Sequence, residues 1–97
     1  MIRSFHDKGT EAVFHGRGSK AARKALPSTL VRIAQRKLDQ LNQAAVLEDL
    51  MIPPGNQLEA LKWDRRGQHA IRINAQYRVC FVWTENAPEN VETTDYQ

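Results

Sequence analysis

The sequence predicts a single α+β domain, in which helices pack on one face of a small, mainly antiparallel sheet. Its 97 residues are enough for one domain. Apolar residues in the first half recur at the spacing of a helix, whereas the alternation of apolar and polar residues that is typical of strands follows residue 55. Helical segments that precede a run of strands indicate an α+β fold.

The longest predicted helix has both a start signal and a firm stop. Pro27 and Ser28 favour a helix start, and Pro53-Pro54-Gly55 ends the segment. Between them lies one apolar stripe, formed by Leu30, Ala34, Leu38, Leu41 and Ala45. A shorter helix is predicted over residues 10–14. Residues 16–24, which are rich in glycine and cations, are predicted to have little regular order.

Five segments read as strands, and four of them follow residue 55. They are residues 1–5, 56–63, 68–74, 76–83 and 91–96. Short links between consecutive strands indicate an antiparallel meander. Alternation places Arg72 on the side of its strand opposite Ile71, and Arg78 opposite Val79. The hairpin between these strands can therefore bring both arginines to one face.

The charge of the chain is unevenly distributed, and its first part is basic. Residues 1–40 hold nine Lys/Arg and three Asp/Glu, a net charge of +6, whereas residues 41–97 hold five and eight, a net charge of −3. A basic surface of this kind fits a nucleic acid, an acidic protein, or simply solvent around exposed helices.

Several classes of protein and site are excluded by what the sequence lacks. No run approaches the roughly 18 apolar residues of a membrane span, and the first residues lack the apolar region of a secretory signal. The single cysteine, Cys80, leaves no internal disulfide and is predicted to be a small core residue. These features predict a cytoplasmic protein. Scattered histidines and a glycine pattern that matches no nucleotide fingerprint predict neither a metal site nor a cofactor.

The candidate site consists of polar residues on the predicted strands, namely Glu59, Lys62, Arg72, Arg78, Asp95, Tyr96 and Gln97. In an antiparallel sheet these groups can converge on a phosphodiester, where cations hold the phosphate and stabilise the charge that grows in the transition state. Glu59 or Tyr96 can then exchange protons with a ribose 2′-hydroxyl or with the leaving oxygen. In the structural alternative, Tyr96 only anchors the last strand. Arg78 then pairs with Asp95 or Glu92, or is simply a solvated charge.

Nearly the whole chain resembles one family of bacterial proteins. The stretch PPGNQLEALKWDRRGQHAIRINAQYRVCFVW, the later VETTDYQ, the opening MIRSF and the helical pattern AxRKLxxLxxA carry the resemblance. It is to the HigB branch of the RelE/ParE-type toxins of type II toxin–antitoxin modules. The resemblance implies a RelE-like fold, with two N-terminal helices packed on a small, mainly antiparallel sheet.

The resemblance also implies an activity and its partners. The expected activity is that of a ribosome-dependent endoribonuclease, or mRNA interferase, which cuts mRNA in the A site of the 70S ribosome and inhibits translation. A HigA-like helix-turn-helix antitoxin is expected to neutralise it, and operator DNA is expected to be bound only through that antitoxin. No membrane is implied. Two alternatives are a ParE-like toxin that acts on gyrase, and a catalytically weak protein that binds the antitoxin and regulates the operon.

Four candidate residues match positions of the family. Arg78 occupies the position of its strand arginine, which is expected to contact the scissile phosphate. Lys62 stands at a basic position of the active-site strand. Asp95 and Tyr96 match the first two residues of a C-terminal Asp-Tyr-His motif. The Tyr96 ring can stack on a splayed base.

Two residues depart from the family pattern. Glu59 stands where many HigB toxins have a histidine, although glutamate is usual in the subgroup that this chain matches. Gln97 stands where the family has its terminal histidine, and an amide cannot act as a general acid or base because it does not ionise near neutral pH. If that histidine transfers a proton in the family, this chain is expected to be a weak enzyme.

Some residues outside the catalytic set also receive predicted roles. Basic residues are predicted to contact RNA through counterion release, and these are Lys20, Arg23, Lys24 and Arg72. The alternative for the first three is a segment that becomes ordered on binding the antitoxin. His69 is predicted to be a half-buried packing residue. Trp63 either covers the edge of the core or faces RNA.

Overall fold

The computed structural model describes residues 1–95 and confirms the predicted α+β fold. Over this range the chain forms three α-helices, which are α1 (Lys8–Phe14), α2 (Lys20–Ala25) and α3 (Val31–Gln43). They are followed by four strands, which are β1 (Glu59–Ala60), β2 (His69–Arg72), β3 (Tyr77–Thr84) and β4 (Ala87–Asp95). Each strand pairs antiparallel with the next, as the predicted meander requires. Short 3-10 helices occupy Ser28–Leu30, Leu47–Met51, Pro54–Asn56 and Trp63–Arg65.

The longest helix, α3, forms where the apolar stripe predicts it. Ala34, Leu38 and Leu41 are fully buried in the core that the helix shares with the sheet. The helix ends at Gln43, where the backbone becomes extended, and Ala45 is therefore exposed in the following loop. Four members of the predicted stripe thus pack as expected, and the fifth lies beyond the helix.

The prediction that residues 16–24 lack regular structure is wrong, because α2 forms there. The Ser19 hydroxyl caps this helix by accepting a hydrogen bond from the Ala22 amide over 3.1 Å. Small residues also allow α2 to lie very close to α1, since a Cβ added to Gly9 would be only 2.6 Å from the Ala21 carbonyl oxygen. The helical layer therefore contains α2 in addition to the two helices that the family resemblance implies.

The core fills the space between the helices and one face of the sheet. Its largest fully buried apolar side chains are Phe81, Leu26, Leu38, Leu41, Ile71, Val79 and Val91, with Leu50 and Val13 beside them. A buried polar contact joins α1 to β4. The Thr10 hydroxyl lies 3.0 Å from the Thr93 hydroxyl and accepts a hydrogen bond from the Thr93 amide over 3.0 Å. Helices therefore cover one face of the sheet.

The prediction of a first strand over residues 1–5 is also wrong. Phe5 forms only a single parallel bridge with Val91 of β4. The chain cannot continue along the sheet edge, because Asp7 caps α1 two residues later. The Asp7 carboxylate accepts a hydrogen bond from the Thr10 amide over 2.6 Å.

Two further strand boundaries differ from the prediction. Strand β1 has two residues rather than eight, because a 3-10 helix begins at Trp63, whose φ of +59° interrupts the extended backbone. Strand β4 begins at Ala87 rather than at residue 91. Glu85 and Asn86 both have positive φ, 47° and 64°, and form a tight two-residue hairpin turn, so the chain pairs with β3 immediately afterwards.

Candidate functional site

The candidate site lies on the face of the sheet that no helix covers, which is called the open face below. Alternation and strand register assign residues to it, and these are Glu59, Leu61, Ala70, Arg72, Arg78, Cys80, Glu92 and Thr94. Ala70 and Cys80 are fully buried together with Leu61, so the centre of the open face is apolar. Charged residues surround this apolar centre.

Arg72 and Arg78 lie directly opposite each other on β2 and β3. Both are half-buried. Like charges at opposed positions of neighbouring strands destabilise a sheet. Among residues 1–95, neither arginine has a carboxylate oxygen within 4.0 Å of its guanidinium. The sheet therefore holds two adjacent positive charges that no acidic side chain of the described chain neutralises.

The guanidinium of Arg78 is held by the turn between β2 and β3. Its Nη1 donates to the Asn74 carbonyl oxygen over 2.6 Å and to the Tyr77 carbonyl oxygen over 3.2 Å. The Asn74 side chain in turn fixes the turn, since its Oδ1 accepts from the Gln76 amide over 2.9 Å and from the Tyr77 amide over 2.7 Å. The alternative in which Arg78 pairs with Asp95 or Glu92 is therefore wrong. The position of this cation is set by backbone carbonyls.

Glu92 is engaged by a different arginine. Arg65, in the connection between β1 and β2, donates from Nη1 to the Glu92 carboxylate over 3.1 Å and to the Gln68 side chain over 3.1 Å. Because β4 lies at the far side of the sheet from β1, this ion pair ties the connection across the open face. Partial burial acts to lower the pKa of Arg65, but the hydrogen bond and the charges of Glu92 and Asp64 outweigh it, and the net pKa is raised.

Cys80 lies under this ion pair and behaves as the predicted core residue. Burial raises the pKa of its thiol to about 11. This effect exceeds the lowering that the nearby charge of Arg65 causes. A thiol with this pKa is protonated at neutral pH and is a poor nucleophile. The structure thus gives Cys80 a packing role in the centre of the open face.

The remaining predicted catalytic residues do not all lie on the open face. Glu59 is exposed on the edge strand and lies opposite Ala70, on the open face. Lys62 is exposed just beyond β1. Asp95 lies opposite Tyr77, whose ring packs on the core, so it belongs to the other face and accepts a hydrogen bond from the Gln76 side chain over 2.8 Å. The expected convergence of Asp95 with the arginines is therefore wrong.

Three groups of predictions concern other parts of the chain. Tyr96 and Gln97 lie outside the described residues. The basic residues of α2 are exposed on the helical side, and these are Lys20, Arg23 and Lys24. The sheet and core separate them from the open face, so they form a second basic surface. His69 is half-buried as predicted, and its ring stacks on Phe81 with centroids 6.3 Å apart.

Sequence reasoning missed the role of the connection between β1 and β2. The sequence indicates no role for Arg65 and leaves two roles open for Trp63. The structure leaves Trp63 87% exposed, so it does not cover the core. The run of charged residues at 64–66 was the available signal, but the partner of Arg65 lies 27 positions later, and no local pattern indicates that pairing.

The described residues show no metal site. No three His, Cys, Asp or Glu side chains within residues 1–95 are grouped closely enough to hold a metal ion. In the same range, no helix has the length and apolar character needed to cross a membrane.

The chain matches one protein family and is similar to two individual proteins. The family described as HigB-like toxin, RelE-like toxin of type II toxin–antitoxin system HigB, matches residues 3–96. The toxin HigB-1 of Vibrio cholerae serotype O1 is 34% identical over 90 residues, which are 93% of this chain and 92% of that protein. An uncharacterized protein of Haemophilus influenzae is 35% identical over 66 residues, which are 68% of this chain and 65% of that protein.

Solved structures share the fold at low sequence identity. Two structures of the YoeB-YefM complex from Staphylococcus aureus, one described as a heterotetrameric toxin–antitoxin complex, contain a chain that superposes with a TM-score of 0.60. The match covers 100% of this chain and 98% of that chain at 12% identity. At this identity the likeness supports the fold alone.

Proposed function

Because the chain belongs to the HigB-like family of RelE-like toxins of type II toxin–antitoxin systems, we propose that it is an endoribonuclease that cleaves mRNA in the ribosomal A site and stops translation. The observation that carries this proposal is the pair Arg72 and Arg78, opposed on the open face without a carboxylate partner among residues 1–95. A bound phosphodiester would neutralise both charges. The arrangement is unfavourable in the free protein and favourable with RNA bound, as expected of a binding site.

The geometry of Arg78 suits stabilisation of a transition state. Its guanidinium is held by the Asn74 carbonyl at 2.6 Å, so little reorganisation is needed when negative charge grows on the scissile phosphate. An arginine also presents several N–H donors in a planar fork that matches phosphate oxygens. Arg72, on the neighbouring strand, supplies a second cation to the same phosphate or to the next one along the backbone.

Glu59 is the proposed proton acceptor on the open face. The other carboxylate there, Glu92, already bonds to Arg65, whereas Glu59 is exposed and close to solvent. A carboxylate of this kind can take a proton from the ribose 2′-hydroxyl while that oxygen attacks the phosphorus atom. The bond from phosphorus to the 5′-oxygen of the next nucleotide then breaks, and that oxygen takes a proton from water. Lys62 adds a positive charge to the nearby rim, and Tyr96 is proposed to stack on a base. Gln97 cannot transfer the proton that a histidine would, so the activity is proposed to be weak.

The proposed partners follow from the family. A cognate HigA-like helix-turn-helix antitoxin would neutralise the protein in the cytoplasm and would carry the complex to operator DNA. The related fold in a YoeB-YefM toxin–antitoxin complex is consistent with such a partner. Gln97 favours a second candidate function, in which the protein is catalytically weak and acts chiefly by binding the antitoxin and regulating the operon.

The proposal is tested by comparing translation and gyrase activity in parallel. The purified protein is added to a cell-free translation reaction and, separately, to a DNA gyrase supercoiling reaction. Inhibition of translation alone is expected, and Arg78→Ala should abolish it while Arg17→Ala, an exposed arginine on the helical side, should not. Inhibition of supercoiling alone would overturn the proposal in favour of a ParE-like toxin. Inhibition of neither would favour the antitoxin-binding function.

A further inference from the structure

We propose that Trp63 is a stacking platform for one unpaired RNA base at the rim of the open face, an inference that rests on the proposed RNA-binding function. Trp63 is the most exposed of the large apolar side chains within residues 1–95, with 87% of its surface accessible. The other tryptophan, Trp83, packs on the core with its ring edge-on to Phe81 at 6.5 Å. The two tryptophans are thus in opposite environments.

The backbone of the connection holds Trp63 in one place. Its φ of +59° is a conformation that bulky residues rarely adopt, and such residues persist only where neighbouring contacts enforce them. Here consecutive backbone hydrogen bonds do so. Arg65 N donates to the Lys62 carbonyl over 3.1 Å and Arg66 N to the Trp63 carbonyl over 3.1 Å. The indole is therefore presented by an ordered turn.

The same turn is fixed over the open face. The Arg65 side chain leaves this 3-10 helix and reaches Glu92 on β4 at 3.1 Å, across the buried Cys80. Trp63 therefore belongs to a connection that contacts the same face of the sheet as Arg72 and Arg78. Because the connection precedes β2 and Arg72 ends that strand, an RNA strand lying along the open face would contact the arginines and the rim at different nucleotides.

The charge around Trp63 favours a polyanionic ligand, and the exposed indole favours a single-stranded nucleic acid among such ligands. Lys62 and Arg66 are exposed on either side of it. Asp64 is the acidic residue in the turn, and its charge acts on Arg65. Residues 62–66 hold three cations and one anion, a net charge of +2. An exposed aromatic ring interleaved with cations is the combination that binds single-stranded nucleic acid, because every base has a face on which the ring can stack.

The experiment uses two fluorescein-labelled RNA hexamers, one with uracil bases and one in which the central positions are abasic ribose. Fluorescence anisotropy at low salt measures the affinity of the full chain for each. Trp63→Ala should weaken binding of the uracil hexamer about tenfold, within the range for loss of one stacked base, and should leave the abasic hexamer unchanged. Trp63→Phe should retain most of the affinity, because it keeps an aromatic face.

Salt dependence separates stacking from charge. Each phosphate contact contributes about 0.7 to the slope of log K against log salt for a single strand. Trp63→Ala should therefore leave the slope unchanged, whereas Arg66→Ala should lower it by about 0.7. Tryptophan emission provides a second readout: in a Trp83→Phe background, the uracil hexamer should quench Trp63 and the abasic hexamer should not.

Failure of this inference can be told apart from failure of the proposed function. If Arg78→Ala loses both hexamers while Trp63→Ala binds both as the wild type does, RNA binding stands and the role of Trp63 is overturned. If Trp63→Ala weakens both hexamers equally, its role is structural and the inference is also overturned. If Trp63 emission responds to the antitoxin but not to RNA, Trp63 belongs to a protein interface. If the wild type binds neither hexamer, the role of Trp63 is overturned, whereas the proposed function is decided separately by the translation and gyrase reactions.

Discussion

Replacing Arg72 by glutamine should stabilise the free protein while impairing its activity. Arg72 faces Arg78 in register, so the substitution removes one of two opposed positive charges. Two unit charges about 6 Å apart repel by about 0.7 kcal/mol in water, and like charges at opposed strand positions cost a similar amount. The half-buried Arg72 stem also contributes some packing that glutamine loses. We therefore expect the free energy of unfolding to rise by about 0.5 kcal/mol at low salt.

Urea unfolding followed by circular dichroism measures this change. For a chain of this size, 0.5 kcal/mol corresponds to a shift of about 0.3 M in the urea midpoint. At 1 M salt the Debye length falls to about 3 Å, and the shift should disappear. Two control variants isolate the cause. Arg72→Lys keeps the charge and should give no gain, and Arg17→Gln removes a charge from the helical side, away from Arg78.

Two results would refute the reasoning about Arg72. The first is a lower stability of Arg72→Gln at low salt, which would mean that its guanidinium makes a stabilising contact in the free protein. The second is a gain of equal size at low and at high salt, which would mean that repulsion from Arg78 is not the cause. Either result would remove the main physical argument that the open face is built to bind an anion.

Three other predictions concern the fold. Thr10→Val should lower the free energy of unfolding by about 2 kcal/mol, because it leaves the buried amide and hydroxyl of Thr93 without this partner. Thr10→Ser keeps a hydroxyl and should lower the free energy of unfolding by less. Urea titration measures both changes. Gly9→Ala should lower the free energy of unfolding by about 2 kcal/mol, because the added Cβ would lie 2.6 Å from the Ala21 carbonyl oxygen. Gly55→Ala should change it little, because no non-neighbouring atom lies within 4 Å of the added Cβ. Burial raises the pKa of the Cys80 thiol to about 11 from its ordinary value of 9.0, so its stabilising contribution should be complete below about pH 9 and lost as pH rises through 11. Wild-type stability should therefore fall relative to Cys80→Ala over that interval, and a constant difference between the two would contradict the assigned pKa.

Local periodicity predicted the elements that are long and regular. The stripe of α3 and the alternation of β3 each extend over many residues, so the helix and strand periods are distinguishable in the sequence. Arg72 and Arg78 were assigned to one face for the same reason, since two strands joined by a short turn have little freedom in register. This is the part of the candidate site that sequence reasoning located.

Most features that sequence reasoning missed depend on contacts between distant residues. Helix α2 consists of Ala, Lys and Arg, which are good helix formers, but six residues are too few to form a stable helix alone. Its cap at Ser19 and its close packing on α1 stabilise it. Asp95 lies four residues after the fully buried Val91 on β4, so alternation within that strand puts it on the core side, away from the arginines. The alternation of this short polar strand was the available signal. The Arg65–Glu92 ion pair links positions far apart in the chain, and no local pattern encodes it.

The most direct test of the central claim is primer extension on mRNA bound to programmed 70S ribosomes. The chain is compared with Gln97→His, and with Arg78→Ala in the Gln97→His background. We predict weak A-site cleavage by the chain, stronger cleavage by Gln97→His, and none when Arg78 is also replaced. Cleavage that persists without Arg78 would contradict the assigned site. Absence of cleavage by both the glutamine and the histidine forms, with growth still arrested by the histidine form, would contradict the proposed activity itself.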